Sequence, residues 1–205
     1  QAHSRIVAEH FPDREKPRNY LPMLQQAVKD MPEDGRMAFY CGREYFYFDR
    51  KEEAAVELKR YLTLKETWSY ELSEAMSMLS KCEPEKEEYW ILRACAETPD
   101  RREPWVELGD FYFLKERWQP ALGAYDRALS MPSQNPAYIS DEKAWGYHPY
   151  NCAAVSAYSI GAYELAIQYG ELAAELWPEQ EGLTNNLNYY REAMKEYADR
   201  FSSVK

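Results

Sequence analysis

The chain sets 35 acidic against 25 basic residues in a length of 205, a net charge of −10 with no basic stripe. That balance argues against nucleic acid, whose phosphates demand clustered lysine and arginine. Its 45% hydrophobic and 15% aromatic residues, 18 of them tyrosine, exclude a disordered chain, and no apolar run approaches the roughly 18 residues of a membrane span.

Residues 1–33 read as a connection followed by a half or degenerate repeat unit. Ile6, Val7 and Phe11 fit a short helix ended by Pro12, and the charged stretch from Asp13 to Arg18 with Pro17 fits a connection. A first residue of Gln without a basic-then-apolar leader suggests a fragment or a processed chain. From Tyr20 to Asp30, Leu21, Leu24, Ala27 and Val28 share one helical face, and the segment MPEDG closes it.

An array is expected from residue 34 to 201. In 34–66 the first helix carries Cys41, Gly42 and Tyr45, a turn falls at Phe48–Lys51, and the second helix carries Ala54, Leu58 and Tyr61, with Glu53 and Glu57 on its outer side. In 67–100, Ala75 and Met78 take the places of Gly42 and Tyr45, Pro84 marks the turn, and Ile91, Ala94 and Pro99 close the second helix. The clearest unit is 102–133, with Trp105, Leu108, Gly109 and Tyr112 followed by Ala121, Tyr125, Ala128 and Pro132. Gly109 and Ala121 are small where two helices of a hairpin must approach closely. The marks Gly42, Ala75 and Gly109 are spaced by 33 and 34 residues.

The period then breaks: the next small mark, Ala154, lies 45 residues after Gly109. An insertion is expected at about 133–147, where Asn135-Pro136 and His148-Pro149 signal turns or helix entries and Tyr138, Trp145 and Tyr147 suit a packed loop. A further unit follows at 147–180, marked by Ala154, Tyr158, Ala166, Ala173 and Pro178. The last helix, 182–201, has Leu187, Tyr190, Met194 and Tyr197 on one side and Arg191, Lys195, Glu196 and Arg200 on the other, as a terminal cap needs.

A small-aromatic-small spacing repeated at about 34 residues is the signature of the tetratricopeptide repeat (TPR), two antiparallel helices per unit. The expected fold class is all-α: a TPR solenoid of helical hairpins with a C-terminal capping helix. The order of the pieces also resembles the helical region that follows the catalytic domain in bacterial and phage family-2 glycosyltransferases. That resemblance rests on DGRMAFYCGREYFYFDRKEEAAVELKRYL (34–62), the phrase ACAETPDRREPW (94–105), and HPYNCAAVSAYSIGAYELAIQY (148–169) after the insertion. It implies a non-catalytic arm of such an enzyme, because the chain has no Asp-x-Asp pair and no alternation of strands and helices for a nucleotide-sugar domain.

Chemistry-bearing motifs are sparse. His3, His10 and His148 are scattered, and Cys152 lies four residues after His148, but two ligands do not make a zinc site, so neither a metal nor a cofactor is expected. There is no G-x-S-x-G and no P-loop. The run Glu83–Glu88 reads as a solvated face. Cys41, Cys82, Cys95 and Cys152 show no C-x-x-C spacing and read as small buried residues in a reducing compartment, so the expected location is the cytoplasm.

In stacked hairpins the first helix of each unit lines the concave face. The inward places are Arg36, Tyr40, Arg43 and Tyr47; then Leu72, Met76 and Leu79; then Glu107, Asp110 and Phe113; then His148, Asn151, Val155 and Tyr158; and on the cap Asn185, Asn186 and Tyr189. Of these, Arg36, Tyr40, Arg43, Tyr47, Asp110, Asn151, Tyr158, Asn185 and Tyr189 are the candidate groove residues. Tyrosines, amides and two arginines suit an extended peptide, a carboxylate terminus or a sugar. The function expected is a non-catalytic scaffold with a protein or peptide partner, a glycan acceptor, or a second copy of itself. It would be either the arm of a glycosyltransferase-like protein or a free-standing adaptor.

Overall fold

The computed structural model describes residues 19–131 and 141–202. The helix expected at Ile6–Phe11, the stop at Pro132, and Asn135, Pro136 and Tyr138 of the insertion lie outside the described residues, as do His3 and His10. Among the described residues the regular elements are helices, and none is long and apolar enough to cross a membrane.

The chain opens with α1 (Leu21–Asp30), which buries Leu21 and Leu24 against Cys41 of α2 (Gly35–Tyr47). Asp34 caps α2, its side chain accepting from the Met37 amide at 2.9 Å. The first hairpin is α2 with α3 (Lys51–Tyr61), and the second is α4 (Ser69–Cys82) with α5 (Glu87–Glu97), joined through a short 3-10 turn at Pro84–Lys86. The third is α6 (Arg102–Leu114) with α7 (Trp118–Leu129). After the break come a single-turn helix α8 (Glu142–Trp145), the hairpin α9 (His148–Ser159) with α10 (Tyr163–Leu176), and the long α11 (Glu181–Ser202) packed on α10.

Successive hairpins join through α3 to α4, α5 to α6 and α7 to α9, while the first helices also touch in a row, α2 to α4, α4 to α6 and α6 to α9. This is a solenoid: each unit buries its apolar stripe only by stacking on its neighbours. The close approaches fall where the small residues stand. A Cβ at Gly42 would lie 2.7 Å from the Leu58 side chain, and one at Gly109 would lie 2.5 Å from the Tyr125 ring. Ala54, Ala75, Ala121, Ala128 and Ala166 are fully buried at the seams.

Three of the four hairpin turns share one device, the exception being the 3-10 turn between α4 and α5. Asp49, Glu116 and Gly161 all have left-handed backbone, with φ of 55°, 54° and 78°. At each, the next amide reaches back to a carbonyl five residues earlier: Arg50 to Tyr45, Arg117 to Tyr112 and Ala162 to Ala157, all at 2.9 Å. That is the Schellman closure of a helix C-terminus, a position that favours glycine. Only the last turn uses glycine, so two turns hold side chains in a conformation that disfavours them. Exposed Glu116→Gly should therefore raise stability by about 0.5–1 kcal/mol, read as a higher urea midpoint at unchanged slope. A drop would mean that the Glu116 side chain supports the turn.

Several expectations change in three dimensions. Glu83, read as part of a solvated run, is a cross-link: it pairs with Lys59 of α3 and accepts from the Trp90 indole at 2.9 Å. Glu88 of the same run accepts from the Tyr112 hydroxyl at 2.7 Å, tying α5 to α6. Glu57, expected on the outer side of α3, is largely covered and pairs with Arg60. Within the insertion, α8 folds back onto α6: the Trp145 indole donates to Glu103 at 3.1 Å, and the buried Arg102 guanidinium lies 3.9 Å over the Trp145 ring while donating to the Met131 carbonyl.

Candidate functional site

The row α2, α4, α6 and α9 forms one face; the candidate residues of α2, α6 and α9 stand on these helices, while Asn185 and Tyr189 stand on α11. On α2, Arg36, Tyr40 and Arg43 follow one another at helical spacing. The Arg36 Nε donates to the Tyr40 hydroxyl at 3.1 Å, and the Arg43 guanidinium lies 4.7 Å over the Tyr40 ring and 5.8 Å from Phe39. The buried Nε of Arg43 has no hydrogen-bond partner among the described residues. Tyr47, one turn on, is 65% exposed. The patch therefore presents a stacked cation and a free phenol, chemistry suited to carboxylates, backbone carbonyls and aromatic faces.

On α4 the expected inward set does not reach the face. Met76 and Leu79 are in the core, and Leu72 packs against it. Because α4 is flanked by α2 and α6, the edge that opens is the one carrying Glu74, Ser77 and Lys81. These three recur at i, i+3 and i+7 and so share one face of α4, but Glu71, Ser73 and Ser80 of the same helix are polar and buried, so polarity alone does not mark them in the sequence. Glu74, Ser77 and Lys81 form one wall of a cleft of about 330 Å³ whose other wall is Glu103, Glu107 and Asp110 of α6. Lys81 pairs with Glu107 at 3.4 Å, and Arg101 with Glu103 at 3.3 Å. Burial pushes the Glu74 carboxyl up, with Arg101 pulling the other way.

The cleft ends at Asp110, which has three side-chain partners. Asp110 accepts from the Tyr125 hydroxyl at 2.7 Å and from the Lys143 ammonium at 2.6 Å, and it meets His148 Nε2 at 2.6 Å. The sulfur of Cys152, one helical turn after His148, sits 3.7 Å from His148 Nδ1 and 3.8 Å from Nε2. Burial opposes the charge of Asp110, but the bonds from His148, Lys143 and Tyr125 override it and hold the carboxyl below its usual range. Burial likewise pulls His148 down, yet Asp110 and Cys152 outweigh it and lift the imidazole to about 9. The Tyr125 phenol is raised, by burial first and then by Cys152 and Asp110. Four elements converge here: α6 brings Asp110, α7 Tyr125, α8 Lys143, and α9 His148 and Cys152.

This arrangement does not build a thiol nucleophile. Sulfur nearly equidistant from both ring nitrogens lies off the line of either lone pair, whereas an activated cysteine needs a directed bond to its base. Cys152 is also only 5% exposed.

Farther along, the Asn186 amide of α11 donates to the Asn151 side chain of α9 at 3.1 Å. The ring of Tyr158 packs 5.7 Å from Tyr163 and 5.4 Å from Tyr190, joining α9, α10 and α11. Asn185 and Tyr189 stand on the exposed side of α11, Tyr189 at 65% exposure. The structure thus gathers Arg36, Tyr40 and Arg43 into one patch and joins Asn151 to the cap. Asp110 stands in a centre of its own, with partners from across the period break.

The fold is an all-α TPR solenoid, a class built to present such a face. Its structural neighbours are TPR proteins. A crystal structure of MamA is 17% identical over 79% of this chain and 83% of its own, with a TM-score of 0.59, and a second gives a TM-score of 0.60 at 17% identity over 79% and 89%. The pilF structure from Pseudomonas aeruginosa is 15% identical over 83% of this chain and 72% of that one, with a TM-score of 0.59. At these identities the likeness carries the fold alone. No protein-family model matches the sequence, and neither does any curated protein.

Proposed function

We propose that the chain is a non-catalytic interaction scaffold that binds a protein or peptide partner along the face of α2, α4, α6 and α9. The observation that carries this reading is the α2 patch, where Arg43 stacks on Tyr40 with its Nε unpartnered and Tyr47 stands open to solvent. Arginine and tyrosine dominate the energetics of protein interfaces because they supply large rigid contact and directed donors together. The polar cleft beside Asp110 extends the same surface. Four free thiols suit a reducing compartment, for which the cytoplasm is our reading.

Two parent architectures support such a scaffold equally well. In one, the chain is the helical arm of a family-2 glycosyltransferase-like protein, and the face takes a glycan acceptor or a partner subunit. In the other it is a free-standing adaptor. Discovery of an upstream domain with an Asp-x-Asp pair would select the first.

The scaffold reading is tested by photo-crosslinking from Tyr47 in cells of the source, followed by affinity measurement with the captured partner. The double substitution Arg43→Ala, Tyr47→Ala should weaken that partner at least about tenfold, as loss of interface hot spots does. An unchanged affinity would remove the α2 patch from the interface, and a face that captures no partner would remove the scaffold reading.

A further inference from the structure

We propose that Asp110, His148 and Cys152 form a binding site for a divalent transition-metal ion of the zinc type. A carboxylate oxygen, an imidazole nitrogen and a thiol sulfur lie within 4.8 Å of one another. They come from two helices that the solenoid brings into contact, with His148 and Cys152 four residues apart on one face of α9. One O, one N and one S donor is a set suited to zinc, cobalt or cadmium, and it does not suit calcium or magnesium, which take oxygen alone.

The donor atoms stand close enough to be brought to the distances of a zinc site. A zinc ion would sit about 2.0–2.2 Å from nitrogen and oxygen and about 2.3 Å from sulfur. The present spacings, 2.6 Å from Asp110 to His148 and 3.7 to 3.8 Å from sulfur to the ring nitrogens, are brought to that geometry by opening the first contact and turning the imidazole about its Cβ–Cγ bond. The Tyr125 hydroxyl on Asp110 stays in place as the outer partner that orients a ligating carboxylate. The ion takes the place of the hydrogen bond between Asp110 and His148. It releases the imidazolium proton and the thiol proton to solvent and leaves a fourth position for water or a group of the partner.

Lys143 distinguishes this site from a purely structural network. Its ammonium, half exposed on α8, bonds Asp110 at 2.6 Å and is the cation that an incoming metal must displace. If the cluster serves only to hold α8 against α6, removing Lys143 changes stability and nothing else. If the cluster binds a metal, removing Lys143 strengthens the binding.

Cobalt(II) titration of the intact chain under reducing conditions tests the proposal. Expected are one equivalent bound, a thiolate-to-cobalt charge-transfer band, visible bands of tetrahedral intensity, and stoichiometric displacement by zinc. Cys152→Ser should abolish the charge-transfer band, with folding checked by circular dichroism. Asp110→Asn and His148→Gln should each weaken binding by more than the roughly tenfold that even outer partners contribute. Lys143→Gln should tighten binding by up to about fivefold, the worth of one exposed ion pair. Cadmium NMR of the unaltered chain gives a second reading that needs no variant, since its chemical shift reports coordination by one sulfur. The proposal is overturned by absence of a charge-transfer band, by a band that survives Cys152→Ser and so belongs to Cys41, Cys82 or Cys95, or by weaker binding in Lys143→Gln.

Discussion

Tyr125→Ala should lower stability by about 4 kcal/mol in urea or thermal unfolding. The side chain is fully buried between α6 and α7 at the middle of the array. Its ring contacts Phe113 at a centroid distance of 6.4 Å, and its hydroxyl is fixed on Asp110. Truncating a buried aromatic side chain to alanine typically costs about 3–5 kcal/mol, since the neighbours close the cavity only in part. Two further effects place this site in the upper half of that range. The Gly109 backbone lies against the ring and is held by its own helix, so it cannot follow the collapse, and Asp110 loses one of its donors. Tyr125→Phe separates the two contributions. It keeps the packing and leaves Asp110 with His148 and Lys143, so it should cost about 1 kcal/mol, the net worth of one hydrogen bond. If alanine costs less than about 2 kcal/mol, the middle hairpin is not the packed unit described above. If phenylalanine costs as much as alanine, the hydroxyl network matters more than the ring.

What was legible in the sequence was what is local. Gly42, Gly109 and the alanines mark the seams because a helical hairpin can close only where one residue has little or no side chain, and that demand recurs at the repeat spacing. The Schellman turns were only partly visible. Gly161 announces one, but Asp49 and Glu116 do the same job without glycine, tolerated because the packed helices on either side fix the turn. The groove set failed on α4 because Met76 and Leu79 share a helix with Glu74 and Ser77, and which edge opens depends on the two flanking helices. The Asp110 centre was visible in pieces. Asp110 and His148 both stood among the inward places, and the four-residue spacing of His148 and Cys152 was plain. Their union could not be read, because 38 residues and the break in the period separate Asp110 from His148. Only the contact of α6 with α9 closes that distance. Glu83 and Glu88 belong to the same class: residues whose partners lie in another hairpin look solvated when only their own helix is considered.

Gly109→Leu should cost about 3 kcal/mol. Part of the change is favourable, because leucine gains roughly 0.8 kcal/mol of helix propensity over glycine. The new Cβ, however, would stand 2.5 to 2.8 Å from three atoms of the Tyr125 ring, closer than any carbon pair tolerates. A flexible side chain could move aside, but Tyr125 is enclosed on all sides and anchored by its hydroxyl, so α6 and α7 must separate instead. Overpacking of this kind costs about 1–3 kcal/mol, and the anchored ring puts Gly109 at the top of that range. The two substitutions are therefore coupled, and the double variant is the sharper measurement. In the Tyr125→Ala background the leucine enters the cavity that truncation opened. The pair should then be more stable than the two separate losses imply, by about 2 kcal/mol, well outside the few tenths expected for independent sites. Additive losses would show that Gly109 and Tyr125 do not share the seam between α6 and α7, and the register of the central hairpin would have to be redrawn.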